Sequence, residues 1–131
     1  MHRYTVELRV SGLNLDPDEV TKTLGLSPSQ VRRKGERRGE NFSCTTNIWA
    51  FEVLPPDGCD WPSLEEALSA MLAAVGPIRS KLQSYSPTND ICLWCGHFTS
   101  SFDGGPTLSP ALLKSLADFG IELFLDTYCT R

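Results

Sequence analysis

The stretch that constrains the fold most is Tyr4-Thr5-Val6-Glu7-Leu8-Arg9-Val10, near the start of the chain. Its apolar side chains occupy alternate positions, with threonine, glutamate and arginine between them. Because successive side chains of a β-strand point to opposite faces, this alternation predicts a strand with one buried and one solvated face. We therefore expect a sheet that is covered on one side.

Three segments predict helices. Two of them begin with a capping residue followed by proline and end at a glycine, from Asp16-Pro17 to Gly25 and from Ser109-Pro110 to Gly120. The longest helix is predicted from about Ser63 to Val75, because its apolar residues recur on one helical stripe. The Gly76-Pro77 pair is expected to stop or kink this helix.

Further strands are predicted over residues 47–54, 90–98 and 121–128, with a short strand near 30–34. The resulting order, β-α-(β)-β-α-β-α-β, predicts a single α+β domain over residues 1–131. We expect a mainly antiparallel sheet with the helices on one face, built as a ferredoxin-like core with an extra helix and strand. A chain of 131 residues suits one domain with one hydrophobic core.

The composition favours a soluble globular protein, with 40% hydrophobic and 21% charged residues. No apolar run approaches the roughly 20 residues that a membrane-spanning helix needs. The N-terminal segment alternates and lacks the continuous apolar core of a signal peptide. A cytoplasmic location without membrane association is the resulting expectation.

The five cysteines are odd in number and lie mostly in apolar or strand-like segments, so we expect reduced thiols. The spacing Cys92-x-x-Cys95-x-His97 resembles half of a zinc site. In a strand, however, Cys92 and Cys95 point to opposite faces, and no second pair of ligands follows at zinc-knuckle spacing. The sequence therefore predicts neither a metal nor a cofactor.

Positive charge is concentrated in one segment, where five of the twelve Lys and Arg residues fall within seven positions: Arg32, Arg33, Lys34, Arg37 and Arg38. The rest of the chain is acidic. These cations either bind an acidic protein partner or a phosphate-bearing molecule, or form a solvated hairpin edge that blocks strand pairing. The net charge of −4 makes nucleic acid a poor candidate. The first functional hypothesis is a non-enzymatic protein-binding module, such as an immunity or accessory protein.

A second candidate surface follows from strand parity. If Ile121, Leu123 and Leu125 face the helices, the alternate residues of that strand face the other way and form an open sheet face with the neighbouring strand. This predicts a small-ligand or weakly catalytic site built from Trp94, His97, Phe124, Asp126 and Tyr128. Alternatively, a loop covers the face, or a second copy binds there, so both a monomer and a homodimer fit the sequence.

Catalysis is the less favoured hypothesis for the function of the chain. The chain has two histidines, His2 near the terminus and His97 late in a predicted strand. Catalysis by a Ser-His or Cys-His pair would have to use His97, and no nucleophile-elbow or phosphate-loop motif accompanies it. We therefore expect no catalytic residues.

The order of motifs resembles the mostly bacterial domain-of-unknown-function family 4279 over nearly the whole chain. The resemblance is carried by Ser11-Gly12, the Leu15-Asp16-Pro17-Asp18-Glu19-Val20 helix start, Leu24-Gly25-Leu26-Ser27-Pro28, Lys34-Gly35, the Trp49 strand, and Gly120-Ile121 through Asp126-Thr127-Tyr128. It implies that Lys34, Gly35, Trp49, Asp126 and Tyr128 belong to a family pattern. It implies no catalytic residues.

Overall fold

The computed structural model describes residues 2–37 and 43–130. The elements in chain order are β1 (His2–Gly12), α1 (Pro17–Leu24), β2 (Gln30–Arg32), β3 (Asn47–Val53), α2 (Leu64–Val75), α3 (Arg79–Gln83), β4 (Asp90–Thr99), α4 (Pro110–Phe119) and β5 (Glu122–Cys129). A 3-10 turn over Gly76–Ile78 separates α2 from α3, at the Gly-Pro pair that was expected to interrupt the helix.

The five strands form one sheet in the order β2-β3-β1-β4-β5. Neighbouring strands are antiparallel except β4 and β5, which are parallel. The order β2-β3-β1-β4, with α1 and α2 as connections, is the ferredoxin-like arrangement, and α4 and β5 are added to it. The predicted α+β fold is therefore confirmed. Because β5 is parallel to β4, the chain must cross back between them, and α4 makes that crossover.

The helix ends use the chemistry that the sequence predicts. The side chains of Asp16, Ser63 and Ser109 each accept a hydrogen bond from a backbone N–H in the first turn of α1, α2 and α4. At the other end, Gly25 and Gly120 adopt the left-handed conformation with φ of 70° and 82°. Glycine pays no Cβ penalty there, which is why these two helices stop where they do.

The hydrophobic core lies between the sheet and the helices. Val6, Leu8 and Val10 of β1 are fully buried, as are Leu68 and Met71 of α2, which lies across β1. All belong to one cluster of buried residues. The alternation of β1 thus places its apolar face against the helices, as expected from residues 4–10.

The edge strand β5 departs from this pattern. Register places Leu123 beside Leu93 and Leu125 beside Cys95, so both leucines lie on the helix side of the sheet, as predicted. They are nevertheless 37% and 43% exposed. The helix layer therefore covers the centre of the sheet and leaves this edge open.

Two further features concern membrane spans and cysteine pairing. Within residues 2–37 and 43–130, no helix has the length and apolar content required to cross a bilayer. All five cysteines are free thiols.

Candidate functional site

The sheet face opposite the helices, called the open face below, gathers aromatic side chains from the two strands at one edge. Trp94 of β4 lies beside Phe124 of β5, and Phe98 lies beside Tyr128. Asp126 lies on the same side of β5 as Phe124 and Tyr128. The structure thus brings four of the five residues of the predicted ligand site onto one face, namely Trp94, Phe124, Asp126 and Tyr128.

Arginines from β1 cover part of these rings. The guanidinium of Arg3 lies 4.3 Å from the ring centroid of Phe98, and that of Arg9 lies 4.3 Å from the ring centroid of Trp94. Contacts of this kind are worth about 0.5–1 kcal/mol each at exposed sites. Since the β4 rings are partly capped in this way, the exposed aromatic surface is mainly that of Phe124 and Tyr128, which are 53% and 41% exposed.

Gly96 lies between the two β4 rings and lets them lean towards each other. A Cβ built at Gly96 would lie 2.5 Å from Oγ1 of Thr5, 3.0 Å from Phe98 and 3.2 Å from Trp94. Its φ is not positive, so the neighbours rather than the backbone exclude a side chain. The tilt of Trp94 and Phe98 on the open face therefore depends on this glycine.

Carboxylates accompany the aromatic rings. The hydroxyl of Tyr128 donates a hydrogen bond to Asp126, and this bond raises the pKa of Tyr128. Burial raises the pKa of Glu52 and the negative charge of Glu7 raises it further, while Arg3 opposes the shift. The open face is thus aromatic and acidic, with its arginines held against rings or, for Arg9, also against Glu7 at 2.8 Å.

A cavity of about 730 Å³ opens where β4 and β5 begin. We call it the β4–β5 cavity. It is lined by Leu82, Gln83, Ser86, Asn89, Asp90, Ile91, Cys92, Trp94, Gly120, Ile121, Glu122 and Phe124. They include two carboxylates, Asp90 and Glu122, and two aromatic residues, Trp94 and Phe124, and none of the lining residues that the structure describes is Lys or Arg. An adjoining cavity of about 520 Å³ shares Ser86, Asn89 and Asp90 with it.

The polar wall of the β4–β5 cavity is the part that the sequence reasoning missed. Gln83, Ser86 and Asn89 come from the end of α3 and the turn that follows it. Ser and Asn in such a segment signal a turn and nothing more. Their position beside β5 is set by the strand order, because β5 joins the sheet next to β4 after the chain has crossed over.

His97 lies on the other side of the sheet. The sequence prediction grouped it with Trp94, Phe124, Asp126 and Tyr128, but its odd position in β4 turns it towards the helix side, where it is 3% exposed. Its ring stacks on Tyr4 at 4.9 Å, and its Nε2 lies 2.8 Å from Nδ1 of His2. The other nitrogen of His2 lies 3.0 Å from Asp103. His97 therefore does not contribute to the open face.

The local environment of His97 disfavours its charged form. Burial lowers its pKa, and the neighbouring His2 lowers it further. Its contacts are those of a packed histidine at the rim of the core, tied to the first residues of β1.

The cysteines of β4 are separated by strand parity, as predicted. Cys95 lies in the core and burial raises its pKa to about 12, with Cys92 contributing. Cys92 lies on the opposite face, where burial also raises its pKa while Arg9 lowers it. Among the residues that the structure describes, no three His, Cys, Asp or Glu side chains are arranged to hold a metal ion.

The basic segment begins at Arg32, the last residue of the short edge strand β2, and continues into the loop that follows. Arg33 lies 3.4 Å from Asp18 and Arg32 lies 4.0 Å from Glu36, so two of its cations have acidic neighbours. Lys34 and Arg37 are exposed. Arg38 lies outside the described residues. The segment is thus placed at the end of the sheet opposite β5, separated from the open-face aromatic residues by β3 and β1.

Comparison with known proteins places the chain in a family. No curated protein and no solved structure matches it. The model of a family described as a domain of unknown function, DUF4279, matches residues 2–130. Because this match spans nearly all of the sequence that forms the sheet, the helices and the β4–β5 cavity, the chain belongs to the DUF4279 family.

Proposed function

We propose that this protein is a binding domain, and that its β4–β5 cavity takes a small organic cation with an apolar or aromatic body. The observation that carries this proposal is the lining of the cavity, which combines Trp94 and Phe124 with the carboxylates of Asp90 and Glu122 and, over residues 2–37 and 43–130, includes no Lys or Arg. Aromatic faces attract cations through the ring quadrupole, and carboxylates add charge complementarity. The volume of about 730 Å³ falls within the range of small-molecule sites.

Each part of the lining has a separate role in this proposal. Phe124 is exposed and offers a ring face for stacking. Glu122 and Asp90 accept hydrogen bonds from an ammonium or guanidinium group. The half-buried apolar side chains of Ile91 and Ile121 receive the hydrocarbon body. The charge of Arg9, which lies over Trp94, is offset by its ion pair with Glu7 at 2.8 Å.

A binding role fits this cavity better than a catalytic one. The thiol in its lining is that of Cys92, and its raised pKa keeps it protonated at neutral pH. A protonated thiol is a poor nucleophile. The cavity supplies shape, aromatic surface and negative charge, which are the requirements of recognition.

Thermal unfolding with a matched pair of probes tests this proposal. Tryptamine and indole-3-acetate share an indole body and differ in the sign of their charge. We expect tryptamine to raise the melting temperature and indole-3-acetate to leave it unchanged. A ligand at a hundred times its dissociation constant stabilises the fold by about 2.7 kcal/mol. Equal shifts with both probes, or no shift with tryptamine, agmatine or choline, would reject a cation site.

Variants locate the site. Phe124→Ala and Glu122→Gln are expected to abolish the shift, whereas Glu19→Gln, an exposed carboxylate on α1, should retain it. Asp126 lies outside the cavity lining, so Asp126→Asn should also retain it. Loss of the shift in Asp126→Asn alone would move the ligand to the far end of the open face, near Tyr128.

A second candidate function is a protein-binding module of the bacterial cytoplasm, acting as an immunity or accessory protein through the basic segment. The exposure of Lys34 and Arg37 beside Arg33 supports it. Charge steers association with an acidic partner. Pull-downs from native lysate would compare the wild type with a charge reversal at Arg32, Arg33, Lys34, Arg37 and Arg38.

The control for that experiment reverses Lys22 and Lys81, which are exposed on α1 and α3. Loss of a partner in the first variant but not in the control supports the basic segment. Identical partner sets in all three proteins reject it. A neighbouring gene that encodes a secreted toxin would favour an immunity role over an accessory one.

A further inference from the structure

The outer edge of β5 is an unpaired edge of the sheet that is suited to pairing with another strand. Over Glu122–Cys129 it pairs with β4 on one side, and within the described part of the chain no strand pairs with its other side. Its side chains are exposed on both faces, with Leu123 and Leu125 on the helix side and Phe124 and Tyr128 on the open face. An edge strand of this length and apolar content is a template for further pairing.

The opposite edge of the sheet is protected in ways that β5 is not. Strand β2 has three residues, Gln30–Arg32, and is followed directly by Arg33 and Lys34. Short edge strands and positive charge discourage pairing with another chain. Strand β5 has eight residues and contains no Lys, Arg, Pro or Gly. The asymmetry between the two edges indicates that β5 has a partner.

We infer that β5 pairs with β5 of a second copy of this chain, antiparallel and about a two-fold axis that passes beside Leu125. A perpendicular two-fold keeps each face of the sheet on the same side, so the two sheets would join into one of ten strands. In this register Leu125 lies opposite the partner's Leu125 on the helix side. Glu122 lies opposite the partner's Tyr128 on the open face.

The carboxylates of β5 disfavour the two neighbouring registers. With the axis beside Phe124, Glu122 would face the partner's Asp126, twice in the dimer. With the axis beside Asp126, that carboxylate would face its own copy. Like charges directly opposite each other destabilise a strand pair. With the axis beside Leu125, each carboxylate instead meets an aromatic residue, because Asp126 faces the partner's Phe124.

Hydrogen-bonding chemistry favours a second copy as the occupant. In the single chain the phenolic hydroxyl of Tyr128 donates to Asp126. In the Leu125 register it can exchange this acceptor for the partner's Glu122, which lies opposite Tyr128, and symmetry repeats the pair. The central leucines of the two chains would cover each other's exposed surface. At this register the strand therefore places no like charges opposite each other and brings its exposed leucines together.

Molar mass in solution tests the inference. Sedimentation equilibrium of the wild type should give twice the chain mass of 14.5 kDa. Leu125→Lys brings two like charges together at the axis and should give the mass of one chain. Leu54→Lys changes a more exposed leucine, 69% exposed after β3, and should remain a dimer. A monomeric wild type at several hundred micromolar, or a Leu125→Lys variant as dimeric as wild type, would overturn the inference.

Cross-linking reports the register without relying on dissociation. In a background with Cys59 and Cys129 changed to serine, Leu125→Cys should form an intermolecular disulfide on mild oxidation. Directly opposed Cα atoms in antiparallel strands lie about 4.5–5.5 Å apart, within disulfide range. Leu123→Cys would lie opposite the partner's Thr127 and should cross-link far less. Equal cross-linking at both positions, or stronger linking at 123, would contradict the proposed pairing even if a dimer exists.

Discussion

Replacing Gly96 with alanine tests whether the aromatic arrangement of the open face is held in place by the strand beneath it. Gly96 pairs directly with Thr5 of the central strand β1 and lies between Trp94 and Phe98. The added methyl group would lie 2.5 Å from Oγ1 of Thr5, closer than unstrained atoms approach, and 3.0–3.2 Å from the two rings. Thr5 must therefore change rotamer or the strands must separate locally.

Two opposing contributions set the size of the effect. Alanine in a strand interior is favoured over glycine by about 0.5–1 kcal/mol, because glycine loses more backbone freedom on folding. Overpacking a well-filled site costs about 1–3 kcal/mol. We expect the second to prevail and Gly96→Ala to lower the free energy of unfolding by about 1 kcal/mol. For a domain of this size that corresponds to a melting temperature lower by about 3–5 °C.

A double-mutant cycle identifies the cause. In a Thr5→Ala background the 2.5 Å contact is absent, so Gly96→Ala should be neutral or stabilising there. The expected coupling is about 1 kcal/mol, measured by urea unfolding with circular dichroism and tryptophan fluorescence. Gly105→Ala is the control, since Gly105 has no positive φ and has open space around it, so alanine should not destabilise there. A stabilising Gly96→Ala, or an equal loss in both backgrounds, would refute the reasoning.

Two further predictions concern the core and its rim. The indole N–H of the fully buried Trp49 donates to Oγ1 of Thr21 at 3.0 Å, so Thr21→Val should cost about 1–3 kcal/mol in urea unfolding, while Thr21→Ser, which keeps the acceptor, should cost less. For His97, burial and His2 lower the pKa in the folded state, so below pH about 6.5 the unfolded chain binds the proton more readily. Stability should therefore fall as pH decreases through that range, by at most about 1.4 kcal/mol per pH unit, and His97→Gln should remove this slope; an unchanged slope would contradict the assignment.

Much of the fold follows from local patterns. Alternation in residues 4–10 predicts the buried face of β1, and the capping residues Asp16, Ser63 and Ser109 mark the three longer helices. The same parity rule places Trp94 and Phe124 on one face, because side-chain direction in a strand repeats every two residues. These features depend on neighbours in sequence, so a single sequence contains them.

The remaining features depend on contacts between distant segments. Leu123 and Leu125 alternate like residues of a covered strand, but whether a helix reaches them depends on the position of β5 at the edge. His2 and His97 meet across 95 positions because β1 and β4 pair over their whole length. Likewise, Asn89 lines the cavity only because β5 inserts beside β4.

The added α4–β5 unit thus supplies what distinguishes this sheet from a bare ferredoxin-like core, and both proposals depend on its strand. Glu122 and Phe124 take part in both, since they line the cavity and in the dimer lie opposite the partner's Tyr128 and Asp126. Leu125 serves dimerisation alone, because it faces the other side and does not line the cavity. Leu125→Lys should therefore give a monomer whose melting temperature still rises with tryptamine. The Phe124→Ala variant should show no rise in melting temperature with tryptamine, whether it is a monomer or a dimer. If Leu125→Lys abolishes both the dimer and the shift while circular dichroism shows an intact fold, the cavity is completed by the second copy, and the ligand site belongs to the dimer rather than to the single chain.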